Sequence, residues 1–183
     1  MSTHLTSNNA LTAEGKRLLL AELLRKKAQQ PKYYPLSFGQ QRLWFLDQME
    51  PGSAAYNMPT ALRLSGELNV RALEQSLNEV VRRHAILRTV FVAGEERPQQ
   101  VVHGFKTSKL ALFDLSELPS EQREAETRQL IKRETQQPFD LRQGPVWRAR
   151  LVRLGAAEHV LLFTMHHIVS DGWSMEILRR EVS

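Results

Sequence analysis

Val70, Leu73, Leu77, Val80 and Val81 fall three and four residues apart behind Asn69, a good amino-terminal cap, so residues 69–84 are expected to be a helix with one buried face. The same spacing marks residues 11–28, where Leu20 and Leu24 share one face, Leu19 and Leu23 another, and Thr12 can cap. Residues 37–49 form an apolar and aromatic stretch read as a helix starting near Ser37, with the Trp44–Phe45–Leu46 cluster assigned to the core. Residues 120–136 read as an exposed, charge-rich helix carrying a Glu124/Arg128 pair. Helical spacing resumes after Trp173 through Ile177, Leu178 and Val182.

Other windows carry the two-residue period of strands. Met58, Leu62 and Leu64 alternate with polar or small residues until Gly66 closes the run; Trp147, Ala149 and Leu151 alternate within 146–153, a half-exposed strand. Val160-Leu161-Leu162-Phe163 has no polar face, which suits a strand buried on both sides. Residues 86–92 also read as a strand with two apolar faces, joined by Arg88; 100–103 and 110–115 are candidate short strands. His84, four residues after Val80, is read as core packing. Pro31 and Pro35 make 29–35 a linker, and residues 1–10 are polar enough to be disordered. The alternation of strands and helices predicts an α/β chain.

Composition narrows the function. At 183 residues and 42% hydrophobic, the chain can bury a core without staples. It has no cysteine, which excludes a disulfide scaffold, a Cys-ligated metal and a thiol nucleophile, and fits a cytoplasmic protein. No apolar run is long enough to span a bilayer, and the start lacks the pattern of a signal peptide. A net charge of +5 invites a nucleic-acid or membrane reading, but its placement argues against both. Six cations (Lys16, Arg17, Arg25, Lys26, Lys27, Lys32) against Glu14 and Glu22 put +4 into residues 1–33, leaving +1 for the other 150.

The chemistry concentrates in Met165-His166-His167-Ile168-Val169-Ser170-Asp171-Gly172-Trp173-Ser174, where a buried strand hands over to a helix. Adjacent side chains on extended backbone point to opposite sides, so His166 and His167 should differ, one fixed by packing and the other open to a cleft. Spacing alone leaves other readings standing: a histidine satisfied in the core, or Asp171 as a helix cap. Two adjacent strand histidines fit one zinc ion poorly, and without a G-x-S-x-G elbow a Ser-His-Asp hydrolase is weaker still. A buried Arg88 would need a partner, so Asp171 is expected to pair with Arg88 or with Arg83 and hold the histidine loop in shape.

His166-His167-x-x-x-Asp171-Gly172 resembles the signature of the condensation domains of nonribosomal peptide synthetases, shared with chloramphenicol acetyltransferase. Residues 37–46, Ser-Phe-Gly-Gln-Gln-Arg-Leu-Trp-Phe-Leu, resemble the family's first motif, with Gly39 where alanine is common. Residues 83–91, Arg-His-Ala-Ile-Leu-Arg-Thr-Val-Phe, resemble its second, with Ala85 where glutamate is usual; Tyr56-Asn57-Met58-Pro59 lies between them. The double histidine separates the chain from cyclization domains, and Ser170-Asp171-Gly172-Trp173-Ser174 is similar to ordinary peptide-bond-forming members, leaning towards an L-configured donor.

The resemblance implies a mixed sheet packed with helices in a chloramphenicol-acetyltransferase-like lobe. Residues 34–183 would be the amino-terminal lobe of two, after a leader of 1–33. It implies acyl transfer from a donor thioester to an acceptor amine, each on the phosphopantetheine arm of a peptidyl carrier domain, with neighbouring synthetase domains as partners and no cofactor or metal bound directly. His167 would be the catalytic residue, as base or as hydrogen-bonding group, with His166 and Asp171 as supports and Gly172 allowing close backbone approach. A coenzyme A-dependent acyltransferase and a non-catalytic carrier-docking lobe are the alternatives.

Overall fold

The computed structural model describes residues 12–182 and divides between Gln30 and Pro31 into two units. The expected disorder of residues 1–10 lies outside the described residues. The first unit is a helix, α1 (Ala13–Gln29), whose amino-terminal cap is the Thr12 hydroxyl, accepting from the Gly15 amide at 3.1 Å. Among the described residues no helix is long and apolar enough to cross a membrane.

In the second unit, β2 (Asn57–Ser65), β7 (Glu158–His166), β6 (Trp147–Gly155) and β5 (Ala111–Asp114) form one sheet in that order, parallel only between β5 and β6. β7 lies at its centre and is buried from His159 to His166. Strand alternation sends Leu161, Phe163 and Met165 to one face, against Leu73, Leu77, Val80 and Val81 of α3 (Val70–Arg83). Val160 and Leu162 join Val152 and Leu154 on the other face, against Leu130 and Ile131 of α4 (Ser120–Gln136). Met175, Leu178 and Val182 bring α5 (Gly172–Val182) onto the α3 side. The sheet is thus sandwiched by helices, and the mixed α/β class expected from the pattern is present.

A smaller sheet, β1 (Lys32–Pro35), β4 (Gln99–Val102) and β3 (Thr89–Val92), flanks it in that order. Here the sequence misleads twice. Residues 32–35 are an antiparallel edge strand and not a linker; Pro35 is tolerated because it ends an edge strand. Residues 85–88 are a turn of 3₁₀ helix, so the strand starts only at Thr89. Its β-branched composition is real, but Arg88 interrupts it. Its guanidinium donates to the carbonyls of Val81 at 3.1 Å, Arg82 at 3.4 Å and His103, closing the unpaired carboxyl end of α3 onto β4.

α2 (Phe38–Met49) starts from a full capping box: Ser37 Oγ accepts from the Gln40 amide and Gln40 Oε1 from the Ser37 amide. Its aromatic cluster is core only in part. Phe45 is exposed, and only Leu43 and Trp44 lean on a second cluster of Leu36, Phe91, Phe139, Leu141, Val146, Ile168 and Val169. That cluster underlies the histidine loop.

Candidate functional site

β7 ends at His166, opposite Asn57 of β2, and the chain turns through 167–171 into α5. The two histidine amides are held from opposite sides: His166 N–H donates to the Val146 carbonyl and His167 N–H to the Tyr56 carbonyl, each at 2.9 Å. Ile168 and Val169 then anchor the loop in the second cluster. The Gln40 side chain reaches Ile168 O from α2 at 3.5 Å.

His166 is 2% exposed. Its Nδ1 accepts the Ile168 amide at 3.1 Å, so that nitrogen carries no proton. Burial pushes its pKa down to about 4, with the neighbouring His167 adding to the effect, so the ring is neutral at pH 7. Tyr56 lies tilted against it at 6.2 Å between centroids, and Phe139 meets it edge-on at 6.3 Å.

His167 is exposed. Its Nδ1 lies 2.6 Å from the Ser170 carbonyl oxygen, which can only accept, so Nδ1 carries the proton. In the neutral ring the lone pair is then on Nε2. A loop carbonyl thereby fixes the tautomer and ring orientation, leaving Nε2 to accept a proton or a hydrogen bond.

Asp171 is exposed, and its Oδ1 accepts from the Ser174 amide at 2.8 Å and the Ser174 hydroxyl at 2.7 Å. These bonds, the hydroxyl's foremost and with His167 contributing, hold its carboxyl below the usual range. The expected ion pair is therefore corrected. Among the described residues Asp171 pairs with neither Arg88 nor Arg83: it caps α5, Arg88 binds backbone carbonyls, and Arg83 lies 3.6 Å from Glu181. His84 is corrected too, since it ends α3 with Nε2 2.8 Å from Glu181 of α5 rather than filling the core. Among the described residues a Cβ on Gly172 would meet nothing within 4 Å.

Sequence reasoning missed residues that fix the floor. Asn57 Nδ2 donates to the carbonyls of Thr135 and Gln137, tying β2 to the end of α4. Glu134, buried on what reads as an exposed helix, pairs with Arg148 at 3.2 Å and Arg150 at 2.7 Å. Two successive outward arginines on β6 facing a charge-rich helix were the available signal.

The family described as Condensation domain matches residues 30–183. One of the linear gramicidin synthase proteins of Brevibacillus parabrevis is 50% identical over 152 residues, covering 83% of this chain and 2% of that protein. Chondramide synthase of Chondromyces crocatus is 46% identical over 147 residues, covering 80% and 4%. The chain thus spans a few hundredths of the length of these relatives. Among solved structures, a starter condensation domain of rhizomide synthetase superimposes with a TM-score of 0.76 at 24% identity, over 82% of this chain and 36% of that one. A four-domain nonribosomal peptide synthetase bound to AMP and glycine gives 0.73 at 26% identity, over 84% and 12%.

Proposed function

The chain belongs to the condensation-domain family, and on that premise we propose that it is the amino-terminal, histidine-bearing lobe of a peptide-bond-forming domain in a nonribosomal peptide synthetase. Its coverage of about a third of a solved starter condensation domain supports that division. The donor and acceptor are thioesters on the phosphopantetheine arms of two peptidyl carrier domains, in a cytoplasmic assembly with neighbouring synthetase domains. The domain holds no cofactor of its own.

In the step, the acceptor amine nitrogen bonds to the donor carbonyl carbon, the carbon–sulfur bond breaks, and the released thiolate and the proton lost from nitrogen are left to combine. His167 is the catalytic residue. The observation that carries this is its Nδ1 contact to the Ser170 carbonyl, 2.6 Å, which leaves Nε2 as the ring nitrogen with a lone pair in the neutral form. Such a nitrogen takes the proton from the attacking amine or orients that amine by accepting its hydrogen bond. Burial keeps His166 neutral, so no second positive charge beside His167 opposes that proton transfer. Asp171 caps the helix that follows and supports the loop's exit.

The test uses the complete synthetase with both carriers loaded. His167→Ala is expected to lower peptide formation by about a hundredfold or more, the range of general acid–base catalysis. Undiminished product rejects the role. Product formed from free coenzyme A thioesters but not from loaded carriers moves the chain to coenzyme A-dependent acyl transfer. Carrier binding without turnover in the parent makes it a docking lobe.

A further inference from the structure

Arg148 lies on β6 with its side chain 13% exposed, and its side-chain hydrogen bonds run to the carboxyl end of α4 and the residues just after it. Nε reaches Glu134 Oε2 at 3.2 Å; Nη2 donates to the carbonyls of Glu134 at 3.1 Å and Gln137 at 2.6 Å; Nη1 donates to that of Pro138 at 3.1 Å. Arg150 holds the other Glu134 oxygen, so the buried carboxylate has a partner on each side. The guanidinium lies over the Phe139 ring, 3.9 Å from its centroid. Phe139, 7% exposed, meets His166 edge-on. The Gln137 carbonyl is shared with Asn57, the ladder partner of His166.

From these contacts we propose that Arg148 is a positioning residue for the histidine loop: it clamps the end of α4 and sets Phe139 against His166, so that the inner histidine keeps one dry orientation. The functional meaning rests on the reading of His167 above. A lysine cannot replace this arginine, because one ammonium cannot serve a carboxylate and three carbonyls while lying flat on a ring. The consequence runs through His166. Its Nδ1 must be unprotonated to accept the Ile168 amide that starts the turn. Loosening Phe139 admits water, favours the protonated ring, and places a charge beside His167. The titratable and charged groups on the elements around His166 include His167 and Asp171 on its own loop, Tyr56 before β2, Glu134 on α4, Asp140 after it, Arg148 and Arg150 on β6, and Arg42 and Asp47 on α2.

The experiment is an NMR titration of His166 without substrate, in this chain and in its Arg148→Lys, Phe139→Ala and doubly substituted forms. It is independent of turnover, so its failure is separate from failure of the functional reading. In the parent His166 titrates at about 4. Each single change is expected to raise its proton affinity about tenfold or more. The double variant is expected to go no further than Phe139→Ala alone, because both act through one ring. Arg148→Lys keeps the charge, so its shift cannot come from charge loss. If it does not fold, Arg148→Gln takes its place. An unmoved His166 in the arginine variant overturns the proposal, and so do shifts that add.

Discussion

The two ends of the histidine loop are built from opposite materials. At the β7 end, His166, Ile168 and Val169 are all buried, and the fixing contacts come from β2, β6, α2 and the end of α4. At the α5 end, Asp171, Gly172 and Trp173 are exposed, and the main fixing contact is Asp171 with Ser174, three residues on. The first end is set by the whole fold and the second by local chain chemistry. His167 sits between them, its ring oriented by a carbonyl of the loop itself. A reacting nitrogen needs a rigid base on one side and room for substrate on the other. Damage to the two ends should therefore differ in size and in kind.

The largest difference is expected in stability at the buried end. Ile168 is 4% exposed within the second cluster, and Ile168→Ala should lower the free energy of unfolding by about 2–5 kcal/mol, measured by urea denaturation at pH 7. A loss no larger than that of Trp173→Ala, at a residue 78% exposed, breaks the comparison.

Next in size is a pH effect that only the buried end can produce. His166 titrates at about 4 when folded and at about 6.5 in an unfolded chain. Between those values the unfolded chain binds a proton that the native one does not. Stability therefore falls as pH drops through that window, by about 3 kcal/mol over its full width. Asp171 and Glu181, both lowered carboxylates, add their own losses from the acid edge of that window downward, below their usual values of 3.8 and 4.5. His166→Asn offers an amide in place of Nδ1 but cannot titrate. Urea unfolding of that variant should be flat between about pH 6.5 and 5, where the parent slopes. A parent curve already flat there shows His166 to be hydrated.

The same contrast explains what could be read from sequence. α3, β2 and β6 follow from periodicity because each presents a regular face to a neighbour, while β7 shows as an unbroken apolar run and α4 as a charge-rich stretch. The short sheet was harder. β1 reads as a proline-bounded linker because its pairing with β4 is a backbone matter between distant segments. The histidine pair and its opposite environments were legible, since strand alternation alone separates them. The partners were not. Ser170 contributes its carbonyl, and Arg88 takes carbonyls from Val81, Arg82 and His103, groups that every residue carries and no sequence distinguishes. Arg148 falls on the polar side of the strand read as half-exposed over 146–153, and burial of its head depends on α4 folding over it.

The smallest expected effect lies at the exposed end and separates a cap from an ion pair. As a cap, Asp171 needs only an acceptor oxygen for the Ser174 amide and hydroxyl. Asp171→Ala should lower the melting temperature modestly while leaving a soluble, folded chain, and Asp171→Asn should recover most of the loss. Because the folded carboxyl titrates below its usual range, its contribution is present at neutral pH and is lost as pH falls through that range. The Asn variant should lack that acid dependence. Pairing with Arg88 predicts otherwise: Asn would fail to rescue, and Asp171→Ala with Arg88→Met would cost less than the two singles together. With Arg88 bound to backbone carbonyls of α3 and of His103 just after β4, the two losses should add.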